Sequence, residues 1–202
     1  MAQYKKDEIK EKINTAALNI FAEKGYENTS ISDIAAKANI SVGNIYRYYK
    51  GKDEIFYTIV PEDFIIGLKA TLLSKIASAK DIADSGGNSH LFSLINDEFI
   101  ALMVSNREIV LIILMGAKGT RYESVKDEVT NYLIKVVKEN YSGKDNRIIY
   151  DSNHDLVIKM IYMNLLEMIM NILKLSNDLS EMQKSLHVIN SYHLFGVTNL
   201  FK

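Results

Sequence analysis

Cysteine is absent from the chain, which excludes disulfides, thiolate zinc sites and a cysteine nucleophile. Proline occurs once, at Pro61, too rarely to supply the turns of an all-β protein. Charge of one sign is also lacking. The formal net charge is −1 over 202 residues, so any nucleic-acid contact must come from a local arrangement of side chains rather than from general basic charge. No basic-then-apolar leader is visible, because Met1 to Lys12 is polar and charged. The longest apolar stretch, Leu156 to Leu175, is interrupted by Lys159, Asn164, Glu167, Asn171 and Lys174, so no membrane span and a cytoplasmic location are expected. His90, His154, His187 and His193 lack metal-ligand spacing. No nucleophile–base pattern, Gly-rich phosphate loop or paired-carboxylate motif stands out. An enzyme, a metal site and a cofactor are therefore not expected.

What is present is helical periodicity. Ile9, Ile13, Ala16, Ala17, Ile20 and Phe21 form one face of a first helix, with Gly25 where a left-handed terminal residue belongs. Ser30-Ile-Ser-Asp33 resembles a capping box, followed by Ile31, Ile34, Ala35 and Ala38 at helical spacing. Asn39 and Ile40 make a very short connection to Ser41, a good N-cap for a third helix. Lys52-Asp53-Glu54 opens a longer helix that must negotiate Pro61 and should kink or break between Tyr57 and Pro61. Further helices are expected after a break at Asp84 to Asn88, from His90 to Val104, and from a capping box at Ser105-Asn-Arg-Glu108 into the apolar Ile109 to Ala117. Others should run from Tyr122 to Tyr141, over Leu156 to Leu175, and from Ser180 to Leu200. The fold class is thus all-α. A three-helix unit over residues 1–51 should precede a helical bundle over 52–202.

Two helices joined by so short a link, behind a first helix, form the pattern of a helix-turn-helix. On a wheel of 100° per residue, Ile45 and Tyr49 share the core side of the third helix. Gly43 and Arg47 lie opposite, beside Asn44, with Tyr46 and Tyr48 on the flanks. Arg and Asn suit bidentate contacts to guanine and adenine edges, and Gly43 would admit close approach to a groove. Tyr46, Tyr48 and Lys52 sit where hydroxyls and an ammonium can hold phosphates. The start of the second helix near Ser30, and Ser41 at the start of the third, offer further phosphate contacts.

These residues carry a family resemblance. Phe21-x-x-x-Gly25-Tyr26, Thr29-Ser30-Ile31-x-x-Ile34-Ala35 and Ile40-Ser41-x-Gly43-x-Ile45-Tyr46-x-Tyr48-Tyr49-x-x-Lys52-x-Glu54-Ile55 together resemble the TetR family of bacterial repressors, over roughly residues 9–56. The resemblance implies a homodimer, an all-α C-terminal domain, and usually a small-molecule inducer that releases the protein from DNA; a dimer should in turn bind a pseudo-palindromic duplex operator, because its two-fold axis must match that of the DNA. It also implies that Tyr46, Tyr48 and Lys52 contact phosphates while Val42, Gly43, Asn44 and Arg47 face the bases. Tyr48 departs from the family pattern, which often has His there.

Beyond residue 56 only local pattern remains. Asn164, Glu167, Asn171 and Lys174, spaced 3, 4 and 3, make a narrow polar stripe on an otherwise apolar helix. Such a helix should be buried on two sides, and a second copy is the simplest partner. Leu165, Ile169, Ile172, Leu186 and Ile189 are the candidate dimer residues. Phe99, Met103, Met160, Met163 and Asn164 are the candidate lining of a ligand pocket, where methionine would adapt to an occupant. The resulting function is a sequence-specific transcriptional repressor with a small-molecule effector. One alternative is a DNA-organising or partner-binding protein of the same fold without an inducer, to be separated by a melting screen against small molecules. Another is an all-α ligand carrier or enzyme with a degenerate DNA-binding unit, to be separated by a DNA-shift assay.

Overall fold

Residues 2–71, 97–141 and 152–200 are described by the structure, a computed structural model, and every regular element among them is helical. Helix α1 (Ala2–Lys24) buries Ile13, Ala16, Ala17, Ile20 and Phe21, the face its spacing predicts, with Ile9 half-buried. It stops at Gly25, whose φ of +78° only glycine adopts without strain and whose N–H donates to the Phe21 carbonyl at 2.9 Å. The expected capping box starts α2 (Ile31–Ala38): Ser30 Oγ accepts from the Asp33 amide, and the Asp33 carboxylate accepts from the Ser30 amide. Asn39 then turns the chain through a left-handed conformation, φ 55°. Ser41 caps α3 (Val42–Ile45), its side chain accepting from the Asn44 amide at 3.2 Å.

Helix α4 (Lys52–Ile59) is shorter than the long helix expected from Lys52. The expected interruption falls at Val60, whose N–H donates to the Phe56 carbonyl. Pro61 has no N–H for the next carbonyl, that of Tyr57, so it sits exposed between α4 and a separate helix α5, residues 62–71. Helix α6 (Asp97–Ser105) is followed by α7 (Arg107–Leu111), which runs into a π-helical turn at Ile112–Gly116. The capping box expected at Ser105–Glu108 does not form. Ser105 remains the last residue of α6, and Asn106 occupies the cap position with no side-chain cap bond. Helices α8 (Val125–Tyr141), α9 (Ser152–Leu175) and α10 (Leu179–Leu200) follow. The breaks expected at Asp84 to Asn88 and the helix start at His90 lie outside the described residues.

Packing divides the chain into two units, the first formed by Met1–Ile66 with Asn106–Val125. It extends beyond the stretch 1–51 assigned above to DNA reading. In it α1 packs on α2, α4, α7 and the π turn. Phe21, Tyr26, Phe56, Tyr57 and Tyr122 form a chain of tilted and edge-to-face ring contacts with centroids 5.0–6.2 Å apart. The second unit comprises Gly67–Ser105 and Lys126–Lys202, with α10 packed on α9 and α6. Its core holds Ile100, Met103, Leu133, Ile158, Tyr162, Leu165, Ile169, Met170, Leu173, Met182 and Leu186. By length and composition Asp155–Leu175 is apolar enough to cross a membrane, at mean hydropathy 1.6. The polar stripe Asn164, Glu167, Asn171 and Lys174 is exposed, as its spacing predicts.

Candidate nucleic-acid interface

The helix-turn-helix is held from beneath. Ile45 is fully buried and Tyr49 nearly so, at 3% exposure, and the Tyr49 hydroxyl bonds to the Asn14 side-chain oxygen of α1. Four residues cannot sustain a helix alone, so α3 takes its orientation from these two anchors and from its Ser41 cap. Val42, Gly43, Tyr46 and Arg47 are exposed, while Asn44 and Tyr48 are half-buried. The wheel thus separates inside from outside correctly, although the chain leaves regular α-helix after Ile45 and continues through turns to Tyr48. A Cβ built on Gly43 would meet nothing within 4 Å. A side chain at 43 would therefore meet no obstacle inside the protein. Arg47 forms no ion pair among the described residues and presents its five donors to solvent.

Three expected phosphate residues differ in readiness. Tyr46 is open at 57% exposure, and Ser41 uses its oxygen as an acceptor while keeping its O–H proton to give. Ser30 is otherwise engaged. Its hydroxyl donates to the Asp33 carboxylate at 2.7 Å and its amide donates to the same oxygen at 2.8 Å. Those bonds from Ser30, with help from Lys24, hold the Asp33 carboxyl down to about 2. A carboxylate therefore already sits at the start of α2, and a phosphate arriving there would meet like charge. In the free protein Ser30 serves as the cap of α2.

Lys52 is also engaged inside the protein. Its ammonium donates to the Tyr26 carbonyl at 2.8 Å and the Thr29 carbonyl at 2.9 Å, and lies 4.1 Å from the Tyr26 ring centroid. The Tyr26 hydroxyl bonds to Asp53. Tyr26 and Thr29 stand in the family motif, but their role as partners of Lys52 appears only in the fold. No periodicity joins residues 26–29 to 52, so the only available signal was that motif.

In the second unit the candidate residues separate. Leu165, Ile169 and Leu186 are at most 3% exposed within a single chain, so they belong to the chain's own core and cannot face a second copy. Ile172 and Ile189 are half-buried. The apolar residues left open on α9 and α10 are instead Leu156, Val157, Met160, Met163, Val188 and Tyr192, with Leu175 and Leu179 at the facing helix ends. Phe99 and Met103 are buried, whereas Met160, Met163 and Asn164 are exposed. The five candidates are thus two core residues and three open to solvent.

A helix-turn-helix anchored by one buried face, with its other face free of internal bonds, defines a DNA-binding domain. Residues 13–58 match the profile of a family described as bacterial regulatory proteins, tetR family. The biofilm operon icaADBC HTH-type negative transcriptional regulator IcaR of Staphylococcus epidermidis is 27% identical over 159 residues, covering 78% of each chain. An HTH-type transcriptional regulator of Staphylococcus aureus strain USA300 is 25% identical over 115 residues, or 57% of this chain; the match spans 58% of that regulator's length. Among solved structures, the TetR family transcriptional regulator PfmR from Thermus thermophilus superposes with TM-score 0.53 at 18% identity, covering 90% of this chain and 91% of that one. A transcriptional regulator from Aquifex aeolicus VF5 does so with TM-score 0.51 at 18% identity, over 96% and 99%. Over residues 13–58 the chain carries a DNA-binding domain of the tetR type, and it is similar to bacterial HTH-type transcriptional regulators.

Proposed function

We propose that the protein is a dimeric repressor that reads a pseudo-palindromic duplex operator through α3 and is released by a small molecule bound in its second unit. The observation that carries this reading is the outward set Val42, Gly43, Asn44 and Arg47, standing over the buried Ile45 and Tyr49. In this reading these four face the bases, and Ser41, Tyr46 and Tyr48 hold phosphates on either side. The negative regulation named for the S. epidermidis relative supports repression. The chromosome is the target, so the protein works in the cytoplasm. Electrophoretic shift of the DNA upstream of its own gene tests the reading directly. Arg47→Ala should weaken specific binding by about 1–3 kcal/mol and relax preference at one position per half-site. An unchanged preference in a site selection would show that Arg47 reads no base.

The apolar side chains open on α9 and α10 support the dimer. Val188 and Tyr192, one turn apart on α10, are 68% and 69% exposed. An exposed pair of this kind on the same face gains most from burial against a second copy. Val188→Glu with Tyr192→Glu should therefore give folded monomers, since neither residue supports the chain's own core. Light scattering that still reports a dimer for the double variant would move the interface elsewhere.

A further inference from the structure

Lys52 stands just after the helix-turn-helix, while Tyr26 and Thr29 stand just before it. Between them lie the cap of α2, the turn at Asn39, all of α3 and the turns to Lys50. The ammonium reaches across this span to two backbone carbonyls, at 2.8 and 2.9 Å, and lies against the Tyr26 ring. Its neighbour in sequence, Asp53, takes the Tyr26 hydroxyl. A second and independent tie holds residue 26 from the other side: its amide donates to the Gly116 carbonyl at 2.8 Å. Thr29 is only 2% exposed, with its hydroxyl donating to the Gly25 carbonyl at 2.7 Å. The two carbonyls that receive Lys52 are thus fixed points.

We propose that Lys52 is a positioning residue for DNA recognition, a non-covalent clasp that joins the two ends of the helix-turn-helix by binding the Tyr26 and Thr29 carbonyls. Two of its three N–H donors are committed to those carbonyls, which distinguishes it from an ammonium held out for a phosphate. Burial pushes the ammonium below its ordinary value, against the opposing pull of Glu27. Closing a loop of this length removes conformations in which α2 and α3 lie at other angles to α4. The clasp acts through α2, because α3 rests on it. A compact ammonium fits between two carbonyls and an aromatic face, while a planar guanidinium with its fixed fork does not reproduce that arrangement. The inference rests on the reading that α3 faces DNA, but its structural part can be measured without DNA.

The test compares Lys52→Arg with Lys52→Met in full-length protein, titrating a duplex of the upstream region at several salt concentrations. Both should weaken binding about tenfold, as loss of charge-assisted bonds implies, with the slope of log K against log salt unchanged. Wild-type-like binding by Lys52→Arg, with the slope reduced by about one in Lys52→Met, would overturn the inference in favour of a phosphate contact. NMR of the DNA-free wild-type protein gives a readout that survives any failure of the variants to fold. The Lys52 Nζ protons should exchange slowly and resonate apart from the other lysines. An Nζ signal indistinguishable from those of solvated lysines would sink the clasp. A wild-type protein that shifts no duplex would count against the α3 reading and leave this NMR test standing.

Discussion

Gly116→Ala is expected to lower the melting temperature by roughly 10 °C, from a destabilisation of about 3 kcal/mol. A Cβ at 116 would lie 2.9 Å from the Gly25 Cα and 3.1 Å from the Phe21 carbonyl oxygen. Both neighbours are backbone, so no side chain can swing aside to relieve the overlap. The Gly25 side of the contact is equally constrained, since its φ of +78° and the bond from Tyr26 to the Gly116 carbonyl fix the chain there. The π turn would have to lift away from α1 and would take apolar surface at Ile112 and Ile113 with it. Gly67→Ala makes the matched control: a Cβ there meets nothing within 4 Å on a helix surface, and alanine favours helix over glycine. Equal melting of the two variants by circular dichroism would contradict the tight junction.

The second large effect is on acid stability. His193 is 4% exposed, its Nε2 has no hydrogen-bond partner among the described residues, and its ring lies 5.2 Å from that of Tyr162. Burial pushes the imidazole down to about 4, from an ordinary value of 6.5. Above pH 6.5 the folded and unfolded chains both carry it neutral, and it costs nothing in proton binding. Below pH 6.5 the unfolded chain takes up a proton that the folded chain refuses, so stability falls steadily towards pH 4. The loss over that window approaches about 3 kcal/mol. His193→Leu should remove this part of the acid slope and, by replacing an unbonded buried nitrogen, should raise stability at pH 5. Urea unfolding of both proteins at pH 7, 6, 5 and 4.5 checks it. Parallel curves for variant and wild type would mean that His193 takes no part.

Local causes are legible in the sequence where one candidate stands without a competitor beside it. The Ser30–Asp33 box, the left-handed Gly25, the Ser41 cap and the inward pair Ile45 and Tyr49 all depend on residues within one or two turns of each other. So does the stripe Asn164, Glu167, Asn171 and Lys174. Local pattern failed at Ser105–Glu108, where two adjacent cap candidates competed and the helix took Asn106. It also failed on α9, for a different reason. The stripe correctly marked the outside, but which apolar flank turns inward is decided by where α10 lies. Leu165 and Ile169 therefore fell to the chain's own core, and Met160 and Met163 to its surface. The Gly25–Gly116 contact and the bonds from Lys52 to residues 26 and 29 join parts of the chain that no window spans.

The division of labour in α3 has an evolutionary consequence. Ile45 and Tyr49 carry the anchoring, and the side chains of Val42, Asn44 and Arg47 make no hydrogen bond or ion pair among the described residues, while a side chain at 43 would find open space. Mutations at these four positions are therefore nearly neutral for folding, and drift can explore them without passing through unfolded intermediates. On the proposed reading of α3, a duplicated copy of such a gene would acquire a new target sequence one substitution at a time while its scaffold stays intact. The same property makes residues 42, 43, 44 and 47 a library site: randomised together, they should return mostly folded proteins that differ in the DNA they recognise.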